Sequence, residues 1–203
     1  MQPLRVVPAV LETPRLRLRA WRPLDVPALL PILEANRSHL GPWIPPRVAA
    51  PAPLAELAAR LSAFARDFEA ARAFRFAMRR RDDDVLIGEA DLFPRDAERR
   101  VPLAAADRVE LGYWLDSIAV GQGFATEATK ALLDLAATMP GIVLAEIRCE
   151  TANAPSAAIP RRLGFTLSAE IMDDAVHDGH PPVPLQVWTR RLGAPGCGML
   201  ATP

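Results

Sequence analysis

The feature that most constrains this fold is a glycine turn, Gly121-Gln122-Gly123, which joins a strand-like run to an amphipathic helix. Residues 109–115 are rich in apolar and aromatic side chains of β type, whereas residues 126–137 carry apolar side chains at helical spacing. Glycine allows a close backbone approach, and the first N–H groups of a helix have no partner inside it. Because the helix dipole adds to these donors, the turn is predicted to bind a pyrophosphate.

A glycine pair before a helix is a weak signal by itself, because many such turns only cap an element. Other nucleotide-binding loops fit this sequence less well. No Gly-Lys-Ser or Gly-Lys-Thr follows, which excludes a Walker-type loop. The third glycine of a dinucleotide fingerprint is also missing, because the chain continues Phe124-Ala125-Thr126. The alternative to a pyrophosphate-binding turn is therefore a turn that only caps the following helix.

The composition narrows the class of protein. A length of 203 residues suits one domain with a substantial core. The 24 Lys and Arg residues balance the 24 Asp and Glu residues, so nothing suggests a nucleic-acid or acidic-membrane partner. The three histidines and two cysteines are too few and too scattered for a zinc site, so no metal is expected. No run approaches the ~20 apolar residues of a membrane span.

The two cysteines also bear on the location of the protein. Cys149 falls in an apolar run and Cys197 in a Gly/Pro-rich tail, so no disulfide is implied and a reducing cytoplasm is the simpler expectation. The N-terminus lacks an apolar core of signal-peptide length. We expect one domain over residues 1–192 and a disordered tail over residues 193–203.

Hydrophobic spacing predicts the order of elements along the chain. Alternation predicts a first strand and then a hairpin, at 16–20 and at 74–78 with 85–93. Helical spacing predicts helices at 26–36, 54–72, 126–137 and 155–163. Apolar runs predict further strands at 109–115, 142–150, 165–172 and 185–191, and 94–107 is predicted to be an irregular loop. This order indicates an α/β fold with a mixed sheet.

Two segments taken together resemble the GNAT superfamily of N-acetyltransferases. The first is Leu-Gly-Tyr-Trp-Leu-Asp at 111–116, followed by Gly-Gln-Gly-Phe-Ala-Thr-Glu-Ala at 121–128. The second is Asn153-Ala-Pro-Ser156, which leads to Leu-Gly-Phe at 163–165. They are similar to the RimJ/RimL-like branch, which acetylates ribosomal-protein N-termini, and residues 12–19 and 36–45 resemble it too. The resemblance covers most of the chain, with a gap near 94–108 and no counterpart after Leu192.

This resemblance implies a single-domain α/β fold with a mixed, mostly antiparallel central sheet flanked by helices. Parallel strands that contain Leu115 and Ile147 would splay apart to hold the pantetheine of acetyl-CoA, the co-substrate of the family. Asn153 would hydrogen-bond the pantetheine arm, and Arg162 would lie near the phosphates. The residues that the resemblance implies for acetyl-CoA binding are Leu115, Gln122, Gly123, Phe124, Ala125, Thr126, Asn153 and Arg162.

Acetyl transfer from a thioester to an amine needs a base and a proton for the departing thiolate. The resemblance implies Glu110 as the base, with Glu89 and Asp91 as alternatives. Partial desolvation would raise the pKa of Glu110 and make it a better base. Many members carry a tyrosine acid where this chain has Pro160, which shifts attention to Ser156. The Ser156 hydroxyl could donate to the thiolate or only cap the helix.

The acceptor is expected to enter beside Trp43, in a segment that borders the acceptor entrance in the family. Pro42, Pro45 and Pro46 stiffen the loop around this tryptophan, and a rigid aromatic suits an extended peptide better than a small polycation. No evident acidic cluster, as polyamine or aminoglycoside pockets need, lies near either motif. We therefore expect an acetyl-CoA-dependent N-acetyltransferase that acts on a primary amine, with a protein or peptide N-terminal α-amine as acceptor.

Several alternatives stay open on the sequence alone. The acceptor could be a small amine, such as an antibiotic, a polyamine or an amino acid. Val120 beside the glycine turn and Pro160 depart from the family pattern, which would suit a catalytically weak acyl-CoA-binding module. A nucleotide-binding fold unrelated to CoA is a third interpretation. Trp43 could instead pack in the core or at a contact between two copies, so a homodimer also stays open.

Overall fold

A computed structural model describes residues 7–173 and 182–193 and shows one central sheet. Its strands are β1 (Val10–Glu12), β2 (Leu16–Ala20), β3 (Phe74–Arg80), β4 (Leu86–Arg95), β5 (Arg108–Leu115), β6 (Leu144–Glu150), β7 (Thr166–Asp173) and β8 (Val183–Arg191). Within the described residues they lie in the order β1-β2-β3-β4-β5-β6-β8-β7, and all neighbours except β5 and β6 are antiparallel. The predicted mixed, mostly antiparallel sheet is confirmed.

Helices connect and flank these strands. They are α1 (Val26–Ala35), α2 (Arg37–Leu40), α3 (Pro46–Ala49), α4 (Leu54–Glu69), α5 (Phe124–Ala136) and α6 (Ala154–Arg162). The predicted order of the main elements is observed, and the bounds shift by a few residues. The helix predicted at 54–72 ends at Glu69, because Ala71 adopts a positive φ of 52°.

Two clusters of buried side chains pack the helices on the sheet. In one cluster α5 contributes Ala128 and Leu132, both 0% exposed, against strand side chains. In the other, Leu57 and Leu61 of α4 pack with Trp114 of β5. The apolar spacing of both helices therefore marks the faces that they bury, as predicted from periodicity.

The parallel pair of strands opens partway along its length. β5 and β6 pair from Arg108 and Leu144 to Leu111 and Ile147. Beyond these residues β5 continues to Leu115 and β6 to its end, and the described structure records no pairing between the two extensions. Their facing backbone groups are left for another partner. The expected separation of these strands is confirmed, and α5 supplies the crossover that parallel neighbours require.

Short elements near the N-terminus differ from the sequence prediction. The sequence predicts one opening strand, but β1 also pairs with β2, from Val10 and Arg19 to Glu12 and Arg17. Three residues are too few for alternation to be recognised. α2 and α3 have four residues each and lie where the sequence predicts the end of a helix and a proline-rich loop.

The predicted loop at 94–107 is also more ordered than expected. β4 extends to Arg95, which forms an isolated bridge with Arg100. A 3-10 turn at Leu103–Ala105 follows, in which the Leu103 amide donates to the Ala71 carbonyl. Contacts with distant parts of the chain order this segment, and hydrophobic spacing does not report such contacts.

Some predictions fall on residues outside the described ranges. These include the loop that carries His177 and the tail from residue 194, so the disordered tail stays a prediction. Cys149 is free and buried, whereas Cys197 is not described. In residues 7–173 and 182–193, no helix is long and apolar enough to cross a membrane. The same ranges contain no group of three or more His, Cys, Asp or Glu side chains placed to hold a metal ion.

Candidate active site

The separated strands open a cleft of about 1260 Å³. Residues of β4, β5 and β6, the starts of α5 and α6, and the segment between α2 and α3 line it. Most of the residues expected to bind acetyl-CoA or to act on the substrates line this cleft, namely Trp43, Glu110, Leu115, Gly123, Phe124, Ala125, Thr126, Asn153, Ser156 and Arg162. Gln122 is not part of the lining, and its side-chain Nε2 donates to the Ile118 carbonyl at 2.9 Å.

The glycine turn determines where α5 begins. Gly123 is the residue before the helix and adopts the left-handed region, with φ 81° and ψ 3°. This backbone allows α5 to begin at Phe124, two residues earlier than predicted. The Glu127 amide donates to the Gly123 carbonyl at 3.0 Å, so the amides of Phe124, Ala125 and Thr126 precede the first bond of the helix. These amides have the arrangement that favours an anion.

An ion pair from the N-terminal part of the chain holds this turn. Arg15 lies just before β2, and its Nε donates to Glu127 Oε2 at 2.7 Å. Its Nη1 donates to the Gln122 carbonyl at 2.9 Å, and its guanidinium lies 4.6 Å from the centre of the Phe124 ring. The Thr13 hydroxyl donates to Glu127 Oε1 at 2.6 Å. We call Thr13, Arg15 and Glu127 the clamp.

The charge of Glu127 is stabilised within the clamp. Burial alone would raise the pKa of Glu127, but hydrogen bonds from the Thr13 hydroxyl and from Arg15 outweigh it and lower the pKa. The three clamp residues lie in segments that resemble the family, but no role was predicted for them from the sequence. The sequence does show an acidic residue, Glu127, in the first turn of the predicted helix, where it is favoured by the helix dipole. It does not show that Thr13 and Arg15 are the partners of this residue.

A polar group lies where β5 and α6 meet. Tyr113 Oη donates to the Ser156 carbonyl at 3.1 Å and lies 3.2 Å from Ser156 Oγ. The Ser156 amide donates to Asn153 Oδ1 at 3.1 Å, which makes Asn153 the side-chain cap of α6. The capping role considered for Ser156 is therefore filled by Asn153, and the Ser156 hydroxyl faces Tyr113 instead. Tyr113 was not predicted as a site residue.

The ionisable groups next to Ser156 have raised pKa values. Burial raises the pKa of Tyr113, and the contact with Ser156 opposes this effect only partly. Burial likewise raises the pKa of Cys149, which also lines the cleft. The phenol and the hydroxyl therefore form a pair of neutral donors beside the separated strands.

Glu110 lies on the wall of the cleft among arginines. Its Oε2 accepts from Arg95 Nη1 at 3.0 Å, and its Oε1 accepts from Arg100 Nη2. Arg148 Nε lies 4.0 Å from Oε2. Arg95 also donates to Glu146 at 3.1 Å. Both oxygens of the predicted base are thus engaged by guanidinium groups, and its catalytic role stays a prediction.

The two alternative bases, Glu89 and Asp91, also line the cleft and share one arginine. Arg75 Nη1 lies 2.9 Å from Glu89 Oε1 and 3.2 Å from Asp91 Oδ2. Trp21 Nε1 donates to Glu89 Oε2 at 2.5 Å. Burial, and then the charge of Glu89, raise the pKa of Asp91 well above its usual range. Among the described residues, Asp91 Oδ1 has no hydrogen-bond partner.

Trp43 lines the cleft from the segment between α2 and α3. Its side chain is partly buried and belongs to neither of the two described core clusters. Arg162 also lines the cleft and is exposed at the end of α6. Val120, which departs from the family pattern, directly precedes Gly121 and is 45% exposed.

Comparison with known proteins agrees with this site. Residues 15–166 match the family model described as "Acetyltransferase (GNAT) domain". No similar sequence is found among curated proteins. A structure of RimL, the ribosomal L7/L12 alpha-N-protein acetyltransferase, in complex with coenzyme A is 21% identical, with a TM-score of 0.75. This likeness covers 93% of this chain and 98% of that chain.

Two further solved structures share the fold. The ribosomal-protein-S5-alanine acetyltransferase from Vibrio fischeri is 19% identical over 91% of this chain and 97% of its own, with a TM-score of 0.73. The microcin C7 self-immunity acetyltransferase MccE, in complex with acetyl-CoA and AMP, is 15% identical over 92% and 98% of the two chains, with a TM-score of 0.77. At these identities the structures establish the architecture alone.

The family match and the site fall on the same residues. The matched range begins at Arg15 in the clamp, passes through the glycine turn and the α6 cap, and ends at Thr166, the first residue of β7. It includes both separated strands and the helix between them. The protein is a member of the GNAT family and an N-acetyltransferase.

Proposed function

We propose that this enzyme transfers the acetyl group of acetyl-CoA to the N-terminal α-amine of a protein or peptide. The observation that carries the proposal is the continuity of the cleft, which runs from the glycine turn, past the separated strands, to Trp43. A donor bound at one end and an acceptor bound at the other can therefore meet where the strands part. RimL, by its name, acts on an α-amine of a ribosomal protein, which supports this acceptor class.

The donor half of the cleft suits acetyl-CoA. The amides of Phe124, Ala125 and Thr126, with Gln122 and Gly123 in the turn, would donate to the pyrophosphate. Leu115 and the open edges of β5 and β6 would hold the pantetheine, as a missing strand would be held. Asn153 Oδ1 accepts from the Ser156 amide, which leaves the Asn153 amide nitrogen to donate to pantetheine. Arg162 would lie near the phosphates.

Proton transfer needs groups on both sides of the thioester. The acceptor amine must lose a proton to a carboxylate of the cleft, for which Glu110 is the candidate that the family resemblance implies. Ser156, backed by Tyr113, would donate to the thiolate that leaves. Burial raises the pKa of Tyr113, so the phenol keeps its proton and can donate a hydrogen bond to Ser156 Oγ while this hydroxyl stabilises the thiolate.

The charge of the acceptor half favours a peptide over a polycation. The carboxyl groups on its wall, Glu89, Asp91 and Glu110, are paired with arginines such as Arg75 and Arg100. Because one arginine, Arg75, serves both Glu89 and Asp91, the wall keeps negative charge for a single ammonium group, which suits an α-amine better than a polyamine or an aminoglycoside. Trp43 offers apolar area for an extended chain.

A thiol-release assay tests the proposal. The protein is mixed with acetyl-CoA and, in parallel, with N-terminal peptides, amino acids, polyamines or aminoglycosides, and free CoA thiol is measured. We expect release to depend on the amine and to be fastest with peptides. Turnover of polyamines or aminoglycosides alone would overturn the peptide assignment. CoA binding by calorimetry without release for any amine would instead indicate a binding module.

A further inference from the structure

The most unusual polar group outside the assigned roles is the carboxyl of Asp91. Asp91 lies in the middle of β4 and is 5% exposed. Its Oδ2 accepts from Arg75 Nη1 at 3.2 Å, whereas its buried Oδ1 has no hydrogen-bond partner within the described ranges. Buried carboxyl oxygens are normally satisfied, because an unpaired one loses its hydration without compensation. An unfilled acceptor on the wall of a substrate cleft points to a ligand that donates.

The position of Asp91 fits the reacting centre. In the register of β4 and β5, Asp91 lies directly opposite Gly112. Gly112 follows Leu111, the last residue of β5 that pairs with β6. Asp91 is therefore at the level where the strands part and where a thioester would be exposed.

Gly112 places no side chain beside this carboxyl. A Cβ at Gly112 would lie 3.5 Å from Asp91 Oδ2 and 3.5 Å from the Phe93 ring, which is ordinary contact distance. Both Gly112 and Asp91 line the cleft. The missing side chain thus leaves space next to the Asp91 carboxyl, on the side of its Oδ2, that a methyl group would fill.

The neighbouring carboxyls do not have a free oxygen of this kind. Glu89 accepts from Arg75 at Oε1 and from Trp21 at Oε2. Glu110 accepts from Arg95 and Arg100 at its two oxygens. Of these three carboxyls, within the part of the chain that the structure describes, only Asp91 keeps an acceptor without a donor.

We propose that Asp91 is the subsite for the acceptor's primary ammonium group, which donates to Oδ1 and passes its proton to this carboxylate. The inference rests on the proposed function and assigns its base. The ammonium gives one proton to Asp91, and the neutral amine forms a C–N bond to the thioester carbonyl carbon. The C–S bond then breaks. The thiolate leaves as CoA thiol with the second amine proton, relayed by Ser156, and Asp91 releases its proton to solvent.

The groups that face Asp91 set the pH range of this step. They are Glu89 on the same strand, Arg75 on β3 and Arg100 on the segment after β4. Burial, the charge of Glu89 and a side-chain hydrogen bond with the Glu89 carboxyl raise the pKa of Asp91, and the two arginines only partly oppose them. Since the carboxylate form is the base, kcat/KM for the amine should rise with pH above the usual range of an aspartate.

Two variants test the assignment in different ways. Asp91→Asn removes the base, and Gly112→Ala keeps the carboxyl but adds a methyl group in contact with it. We expect kcat/KM for the amine to fall roughly 100-fold in Asp91→Asn and about 10-fold in Gly112→Ala. The affinity for CoA, measured by calorimetry, should stay within about twofold of wild type in both. Asp82→Asn, an exposed change in the turn between β3 and β4, should leave all values unchanged.

The pH profile separates Asp91 from the other candidate base. Glu110→Gln should keep the rise of kcat/KM at the pH where wild type shows it, whereas in Asp91→Asn the rise should follow the titration of the substrate α-amine, at about pH 8. Full activity in both Asp91→Asn and Gly112→Ala, with active wild type, would overturn this inference and leave the proposed function intact. If Asp91→Asn does not fold, full activity in Gly112→Ala would overturn it alone. Wild-type protein that binds CoA but turns over no amine would overturn the proposed function.

Discussion

Arg15 and Glu127 are 112 positions apart in the chain, yet Arg15 Nε donates to Glu127 Oε2 at 2.7 Å. Arg15 also holds the Gln122 carbonyl, so the turn before β2 supports the glycine turn before α5. The backbone donors proposed to bind pyrophosphate are therefore positioned by a part of the chain outside the motif. Rigid positioning of donors lowers the entropic cost of binding a ligand.

Removal of the clamp carboxylate should lower stability in a pH-dependent way. The folded pKa of Glu127 is lowered, so its charge stabilises the fold above the ordinary glutamate range. This contribution is lost as the pH falls through the lower folded value. Glu127→Gln should cost about 1 kcal/mol near neutral pH, which lowers Tm by roughly 2–4 °C. The difference from wild type should shrink in acid.

Lys130→Gln is the matched control for this prediction. Lys130 and Asp134 form an exposed ion pair on the same helix, with each side chain 63% exposed. Exposed pairs contribute little, so Tm should hardly move. A Glu127→Gln variant with the wild-type Tm at every pH would show that the clamp does not stabilise the protein.

Gly123 should tolerate no branched side chain. At φ 81° a valine is strained, and its Cβ would lie 3.5 Å from Arg15 Nη2, beside the proposed pyrophosphate site. We expect Gly123→Val to weaken CoA binding at least about 10-fold, which is about 1.4 kcal/mol. Calorimetry with CoA measures this change.

Gly141 provides the control for backbone strain. It has the same φ of 81°, with nothing within 4 Å of an added Cβ, and it lies after α5. Gly141→Val should therefore lose similar stability but keep its affinity for CoA. Unchanged affinity in a folded Gly123→Val variant would contradict the assignment of the turn to pyrophosphate.

The pair formed by Tyr113 and Ser156 should affect turnover more than binding. Ser156→Ala removes the proposed donor to the thiolate, and we expect kcat to fall roughly 100-fold. Tyr113→Phe removes its support, and a loss of about 10-fold is expected. Affinity for CoA should change little in either variant, because the thiolate charge develops only in the transition state.

Ser168→Ala is the control for the loss of a hydroxyl group. Ser168 Oγ donates to the Val187 carbonyl between β7 and β8, outside the cleft lining. This variant should keep wild-type kcat. A fully active Ser156→Ala enzyme would exclude Ser156 as the proton donor.

Trp43 should govern binding of the acceptor. Trp43→Ala removes apolar area at the acceptor end of the cleft, so we expect the peptide KM to rise about 10-fold, which is about 1.4 kcal/mol. The affinity for CoA should not change. Leu24→Ala, which removes an 87% exposed side chain away from the cleft, should leave the peptide KM unchanged. The same peptide KM in Trp43→Ala would contradict the assigned acceptor end.

The sequence by itself identified the elements and the family. The run at 109–115, the glycine turn and the helix after it are local patterns, because alternation, helical spacing and free N–H groups depend only on neighbours in the chain. Asn153 with Leu-Gly-Phe at 163–165 completed a motif of the same local kind. Most of the residues expected in the cleft therefore line it.

The hydrogen-bond partners of the cleft residues became known only from the tertiary structure. Periodicity shows which face of an element is buried, but it does not show which distant side chain meets it. The arginines around Glu110 come from β4 and the following segment, and the partners of Glu127 come from the turn before β2. The register that sets Asp91 opposite Gly112 depends on hydrogen bonds between strands. Tertiary pairing thus determined that, of Glu89, Asp91 and Glu110 in the described structure, Asp91 keeps a buried oxygen without a hydrogen-bond donor.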